Sequence, residues 1–398
     1  MKALPTPYGQ DYINAADLPR RSLPPLQSAP EGRAYLERIQ EEEWRRGPYG
    51  SRLSETLLDA ANYFESRGDL EQASSLLSRA VHLIRVNDGL YSDLQLGQLE
   101  RLMKMRQDQG QLDAVGELQA RLFRLQRKAH AEDSPPWRAA LLRYTDWQRR
   151  NWLLTAEQDS ADVLSDAWSA LDKLMPDEEQ PALSDEGLAM LVYAQLDLLY
   201  SIGVSDFGLD RETELMLGRG FARDQSQGDM GRQQLQYLQK IAYGRGRKLL
   251  DELIAQLEVS AADAEIAQAH LRLGDWHLWY SRVERAQDSY RKAWQLMADD
   301  PAGREALHDP VALPSCGELL LADLQPVPSE PPVKVVAIFT VDKRGRPKKI
   351  ETSAEGEGNE GLAYRLTRLL RNARFRPRLE NGVMTAQQGV QRSYYVEF

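Results

Sequence analysis

The chain has 398 residues, a net charge of −10 and 42% hydrophobic residues, enough for two or three domains with ordinary cores. Its single cysteine, Cys316, excludes an intrachain disulfide framework and a multi-cysteine zinc site. No run of 18 apolar residues occurs, so no membrane-spanning helix is expected, and no apolar segment follows Met1 as a signal peptide requires.

Residues 1–30 are rich in proline (Pro5, Pro7, Pro19, Pro24, Pro25, Pro30) and read as an extended arm. Glu31 to Arg46 reads as a helix stopped by Gly47-Pro48. From there to residue 299 the pattern is one of helix pairs. Leu53 to Ser66 and Leu70 to Arg85 flank the break at Gly68-Asp69. Further pairs are expected at Leu94 to Lys128 and Trp137 to Leu174, with breaks at Gly110 and Asn151, and the final pair runs from Ala262 to Met297. Helices at Asp185 to Ser201 and Gly231 to Leu257 continue the array less regularly.

Ala61, Ala73 and Ala80 put small residues 12 and 7 apart, and Gly274, Ala286 and Ala293 repeat that spacing around Tyr290. On these residues the body resembles the tetratricopeptide repeat, with the longer period found in kinesin light chains. The resemblance implies an α-helical solenoid over residues 31–299 that binds protein partners. A loop from Gly203 to Met230 and a Pro-rich linker over residues 300–332 interrupt or follow the array.

Residues 333–398 read differently. Val333, Val335, Ala337, Phe339 and Val341 form one apolar face at period two. A turn at Gly345 leads to a returning strand from Pro347. Leu362, Leu366, Leu369 and Leu370 stripe a helix behind Asn359. Then come Arg374-Phe375-Arg376-Pro377, a tight turn at Asn381-Gly382, and a last strand ending at Phe398. The expected packing is a three-stranded antiparallel sheet with one helix across its apolar face, making the chain mostly α with a small α+β domain at its end. Phe375 is expected between helix and sheet, and Pro377 at the chain's exit from that corner.

This ordered set resembles the C-terminal domain of the TonB family, over about a sixth of the chain. A Tyr-Pro segment usual before the first strand is missing; Pro326 to Pro332 stands there instead. The resemblance implies a periplasmic, envelope-associated protein of a Gram-negative bacterium, its signal or anchor preceding Met1. It also implies partner binding by strand addition at the edge strand Gly389 to Phe398, where Gln391, Ser393 and Tyr395 offer exposed side chains. The function expected is a non-enzymatic adaptor for envelope or outer-membrane proteins, with peptidoglycan as a further partner and nucleic acid excluded. The alternative is a TonB-type energy transducer linking an inner-membrane motor to an outer-membrane receptor.

No catalytic, cofactor or metal residues are expected. Gly356 to Gly361 matches G-x-G-x-x-G, but Glu357 and Glu360 would repel a pyrophosphate. His270 and His277 lie two helical turns apart, too far to share one metal. Most tryptophans (Trp137, Trp147, Trp152, Trp168, Trp276, Trp279, Trp294) are expected in the helical core. Charge is unevenly placed: residues 333–398 hold 13 basic and 7 acidic residues, a net +6, leaving −16 for the rest.

Overall fold

The computed structural model describes residues 30–131, 134–154, 161–175, 183–204, 226–314, 333–356 and 359–396. The proline-rich arm before Pro30, Cys316, the acidic run at 177–179, most of the expected 203–230 loop and the Pro326 to Pro332 segment lie outside them. The chain divides into two compact units that meet in sequence between Trp147 and Gln148.

The first unit begins with helix α1 (Pro30–Arg46), followed by α2 (Leu53–Ser66) and α3 (Leu70–Asn87). Gly68 adopts φ +80° after α2, and the Asp69 carboxylate accepts from the Gln72 amide to cap α3. A short turn thus folds α3 back on α2. Ala60, Ala61, Ala73 and Ala80 are fully buried at that contact, where the small side chains let the backbones approach. Leu57, Phe64 and Leu77 fill the seam, joined by Ile39 of α1 and by Leu102 and Met105 of α4 (Leu96–Asp108). Gly110, at φ +74°, repeats the break before α5 (Leu112–Ala129). Val81, Leu99, Leu122 and Leu125 carry the core onward through α3, α4 and α5.

The third expected break does not form. Asn151 lies inside α6 (Pro135–Leu154). The difference from Gly68 and Gly110 is energetic. A helical Asn costs only about 0.7 kcal/mol against Ala, and no positive φ is needed there. Trp152, Leu153 and Leu154 continue the helix past it.

In the second unit, α7 (Ala161–Asp172) and α8 (Asp185–Val204) pack on the 35-residue α9 (Ser226–Ser260), which takes in the end of the expected loop. α10 (Asp263–Trp279) and α11 (Val283–Leu296) form the last pair. A Cβ on Gly274 would lie 2.4 Å from the Tyr290 ring, so glycine is what lets that buried tyrosine cross between them. Gly246 of α9 makes the same allowance for Trp276, whose indole N–H donates to the Tyr243 carbonyl at 3.0 Å.

The stretch expected as a linker begins with ordered structure. α12 (Pro301–Ala306) has Pro at its start, and Asp300 accepts from the Gly303 amide. Strand β1 (Val311–Ala312) pairs antiparallel with β4 (Phe375–Arg376). These residues are held because they pair with the C-terminal module, which their proline content alone does not reveal.

That module contains β2 (Val333–Val341), β3 (Pro347–Ala354), α13 (Glu360–Asn372), β4, the hairpin β5 (Arg378–Glu380) and β6 (Val383–Thr385), and β7 (Gln387–Val396). The main sheet is antiparallel in the order β3-β2-β7. Val335, Ala337, Phe339 and Val341 are buried against Leu362, Leu366 and Leu370 of α13. The fold is therefore mostly α, helix pairs followed by a small α+β module.

Candidate partner-binding edge of the C-terminal sheet

Four consecutive residues fix where this sheet sits. Phe375 is 2% exposed and meets Phe339 at 5.2 Å between ring centres, inside the core shared by sheet and helix. Its amide donates to the Gly345 carbonyl at 2.9 Å. A Cβ on Gly345 would come within 2.1 Å of the Phe375 carbonyl oxygen, so only glycine fits that turn. Arg374 reaches outward, donating to Ser281 Oγ at 3.2 Å, and its carbonyl accepts from the Leu313 amide. Pro377 is buried at the exit.

Arg376 does most to hold the module. Its guanidinium grips Asp275 of α10 through two bonds, Nε to Oδ1 at 2.8 Å and Nη2 to Oδ2 at 2.5 Å. The Tyr290 hydroxyl donates to the same Oδ1 at 2.9 Å. Both ionic side chains are about nine-tenths buried. Burial alone would lower the pKa of Arg376, but Asp275 reverses this and holds it above its ordinary value. Burial, reinforced by Asp275, pushes the Tyr290 hydroxyl well up. Arg376 and Tyr290 thus remain donors toward Asp275 at any ordinary pH.

Around this pair the module and the last helix pair share one core. Leu271, Leu278 and Tyr290 pack with Leu307, Leu313, Leu379 and Met384. Gln287 of α11 spans the β5–β6 hairpin, donating to the Gly382 carbonyl at 2.6 Å and accepting from the Met384 amide at 2.9 Å. Asn381 and Gly382 both adopt positive φ, as a two-residue hairpin turn requires. The C-terminal sheet is consequently mounted on α10 and α11, not suspended from them.

The mounted sheet has two outer strands of different character. β3 opens with Pro347 and carries Lys348 and Lys349, the latter at φ +51°, and its pairing with β2 is irregular between Ile338 and Thr340. Proline, lysines and a bulge are devices that keep other strands away. β7 carries fewer of them: after a bulge at Gly389 (φ +65°), it runs Val390 to Val396 in regular register with neither proline nor lysine and with one charged side chain, Arg392.

The ladder also tells which β7 groups face outward. The Glu355 amide donates to the Lys334 carbonyl, so Lys334 and, by alternation, Val336 and Ile338 turn their backbone groups toward β3. Val335, Ala337 and Phe339 therefore turn theirs toward β7, where they oppose Tyr394, Arg392 and Val390. Gln391, Ser393 and Tyr395 are left with N–H and C=O pointing away from the sheet. From the sequence these three residues are expected to offer exposed side chains, which is a separate matter from where their backbone groups point. The Gln391 side chain is exposed and that of Ser393 is half-buried, while the Tyr395 side chain lies outside the described residues. Gln391 and Ser393 lie on the sheet face away from α13, opposite Ile338, which is 43% exposed, and Val336.

Arg392 caps part of this edge. Its guanidinium donates to the Gln391 carbonyl at 3.1 Å and to the Pro310 carbonyl at 3.2 Å. Tyr394 packs on the core face, and burial pushes its hydroxyl up to about 12.

The sequence pattern did not single out Asp275, Gln287 or Arg392. Each acts through a partner that becomes adjacent only on folding. Of the tryptophans, Trp137, Trp168 and Trp276 are buried, whereas Trp44, which sequence reasoning passed over, is 88% exposed. His270 and His277 are both buried in α10; the His277 Nδ1 lies 3.2 Å from the Tyr243 hydroxyl. Among the described residues no three His, Cys, Asp or Glu side chains gather where they could hold a metal ion, and no helix is long and apolar enough to cross a membrane.

No family model matches the chain, and no curated protein matches it. Among solved structures, a kinesin light chain from Podosopora anserina with nearly identical TPR-like repeats is similar over 63% of this chain and 97% of its own length, at 14% identity and a TM-score of 0.37.

Proposed function

We propose that the chain is a non-enzymatic adaptor of the Gram-negative cell envelope, working in the periplasm. Its helix pairs bind one protein, and its C-terminal sheet takes up an extended segment of another beside β7. The observation that carries this reading is the β7 edge: the N–H and C=O groups of Gln391, Ser393 and Tyr395 point outward, with the Gln391 carbonyl capped by Arg392, while the opposite edge strand opens with proline and carries two lysines. An added strand gains main-chain hydrogen bonds there, and the face with Ile338 and Gln391 reads its alternate side chains. The order strand, strand, helix, strand with the Arg374 to Pro377 corner is what the resemblance to the TonB C-terminal domain rests on, and the envelope setting comes from that resemblance. Energy transduction is the weaker reading, because a module fixed to α10 through Arg376 and Asp275 is a poor tethered arm.

Ser393→Pro tests the reading. Its amide faces away from β2, so proline costs the sheet no ladder bond but places a ring where an incoming strand would lie. Capture of partners from an envelope extract should be lost for this variant while its melting temperature stays within a few degrees of the parent. Unchanged capture would rule out strand addition at β7.

A further inference from the structure

The β2–β3 hairpin tip carries five basic residues in the run Asp342 to Lys349, and every one of those side chains is exposed. The one acidic residue in the run is spent on the turn itself. Asp342 accepts from the Arg344 and Arg346 amides, both at 2.9 Å, and pairs with Lys348 at 2.9 Å. Partial burial pushes its carboxyl up, but these bonds outweigh that and hold it below the usual range. Among the described residues Lys343, Arg344, Arg346 and Lys349 have no acidic partner within ion-pair distance.

The tip is also rigid. Gly345 is buried against the Phe375 carbonyl and Leu278, so the cations project from a fixed support. The same corner brings Arg374 alongside. Burial chiefly, and the nearby Arg346 guanidinium after it, lower its pKa from the ordinary value against the opposite pull of Asp342. Arg371 is exposed on the last turn of α13, which ends at this corner.

Exposed like charges held together by a fold favour a counter-charge from outside. We propose that this hairpin, with Arg374, is a docking surface for a short acidic segment of a protein partner. A carboxylate-rich peptide fits the fork geometry of Arg344, Arg346 and Arg374. The rest of the chain carries −16, so a long polyanion would be repelled along its length. A short segment stays within a Debye length, about 8–10 Å, of the cations. This surface lies at the β3 side of the module, so it is separate from the β7 edge and does not depend on strand addition.

The test uses the full chain and a fluorescently labelled polyglutamate peptide, read by anisotropy. Binding is expected at low ionic strength and should vanish near ~0.5 M salt. The variant Lys343→Ser, Arg344→Ser, Arg346→Ser should bind about tenfold more weakly. A control removing the same charge from exposed helix positions (Lys104→Ser, Arg247→Ser, Lys248→Ser) should bind like the parent. Equal loss in both variants would overturn the proposal, as would absence of binding by the parent. Tighter binding of a single-stranded oligonucleotide or of anionic lipid vesicles than of the peptide would also overturn it.

Discussion

Arg376→Ala should be among the most damaging single substitutions in the second unit. It removes two charge-assisted bonds and leaves Asp275, which is 5% exposed, with only the Tyr290 hydroxyl. Breaking a buried pair from one side costs about 3–5 kcal/mol, because the remaining charge is stranded. For a unit of this size that corresponds to a fall of roughly 6–20 °C in melting temperature. Arg376→Met with Asp275→Leu removes both charges together, and so should recover at least half of the loss. Urea unfolding followed by tryptophan fluorescence gives the four corners of the cycle (parent, Arg376→Met, Asp275→Leu and the two together), since Trp276 and Trp279 lie on the same helix as Asp275. If Arg376→Ala costs under about 1 kcal/mol, or the double variant is the sum of the singles, the buried pair does not hold the module and the account is wrong.

Phe375→Ala opens a cavity against Phe339 and the α13 leucines and should cost about 3–5 kcal/mol, measured by the same unfolding titration. Gly274→Ala drives a methyl into the Tyr290 ring, and overpacking there should cost about 1–3 kcal/mol, read as a lower urea midpoint at unchanged slope. Stability should also depend on His277. Burial, with Arg285 and Arg247 nearby, pushes it from 6.5 down to about 4. The unfolded chain therefore binds the extra proton first as pH falls, so the contribution is full above 6.5 and is lost on the way down to about 4. Allowing for screening, the loss is about 1–2 kcal/mol, and it should be absent from the pH dependence of His277→Gln.

Local signals in the sequence were read well where one residue decides the backbone. Gly68 and Gly110 end helices because they take positive φ, and Asn381-Gly382 closes a hairpin for the same reason. The buried face of β2 was legible because its period of two is uninterrupted over nine residues. Asn151 misled because an asparagine at a matching interval carries no comparable constraint. β1 was invisible because two residues make a strand only when β4 is beside them. The edge positions Gln391, Ser393 and Tyr395 were legible as a face, but which way their backbone groups point follows from the pairing of β2 with β3. Nothing near Arg376 in the chain announces Asp275, since the two lie 101 residues apart.

That separation bears on how the protein is made. Asp275 leaves the ribosome well before Arg376, and until the C-terminal corner arrives the last helix pair holds a carboxylate without its counter-ion. Leu271, Leu278 and Tyr290 likewise wait for Leu379 and Met384 to cover them. A chain that stops short keeps a sticky, poorly closed end, the kind of surface that chaperones and proteases recognise. The last helix pair thus reaches its closed state only once the corner at Arg376 and the hairpin behind it have been made.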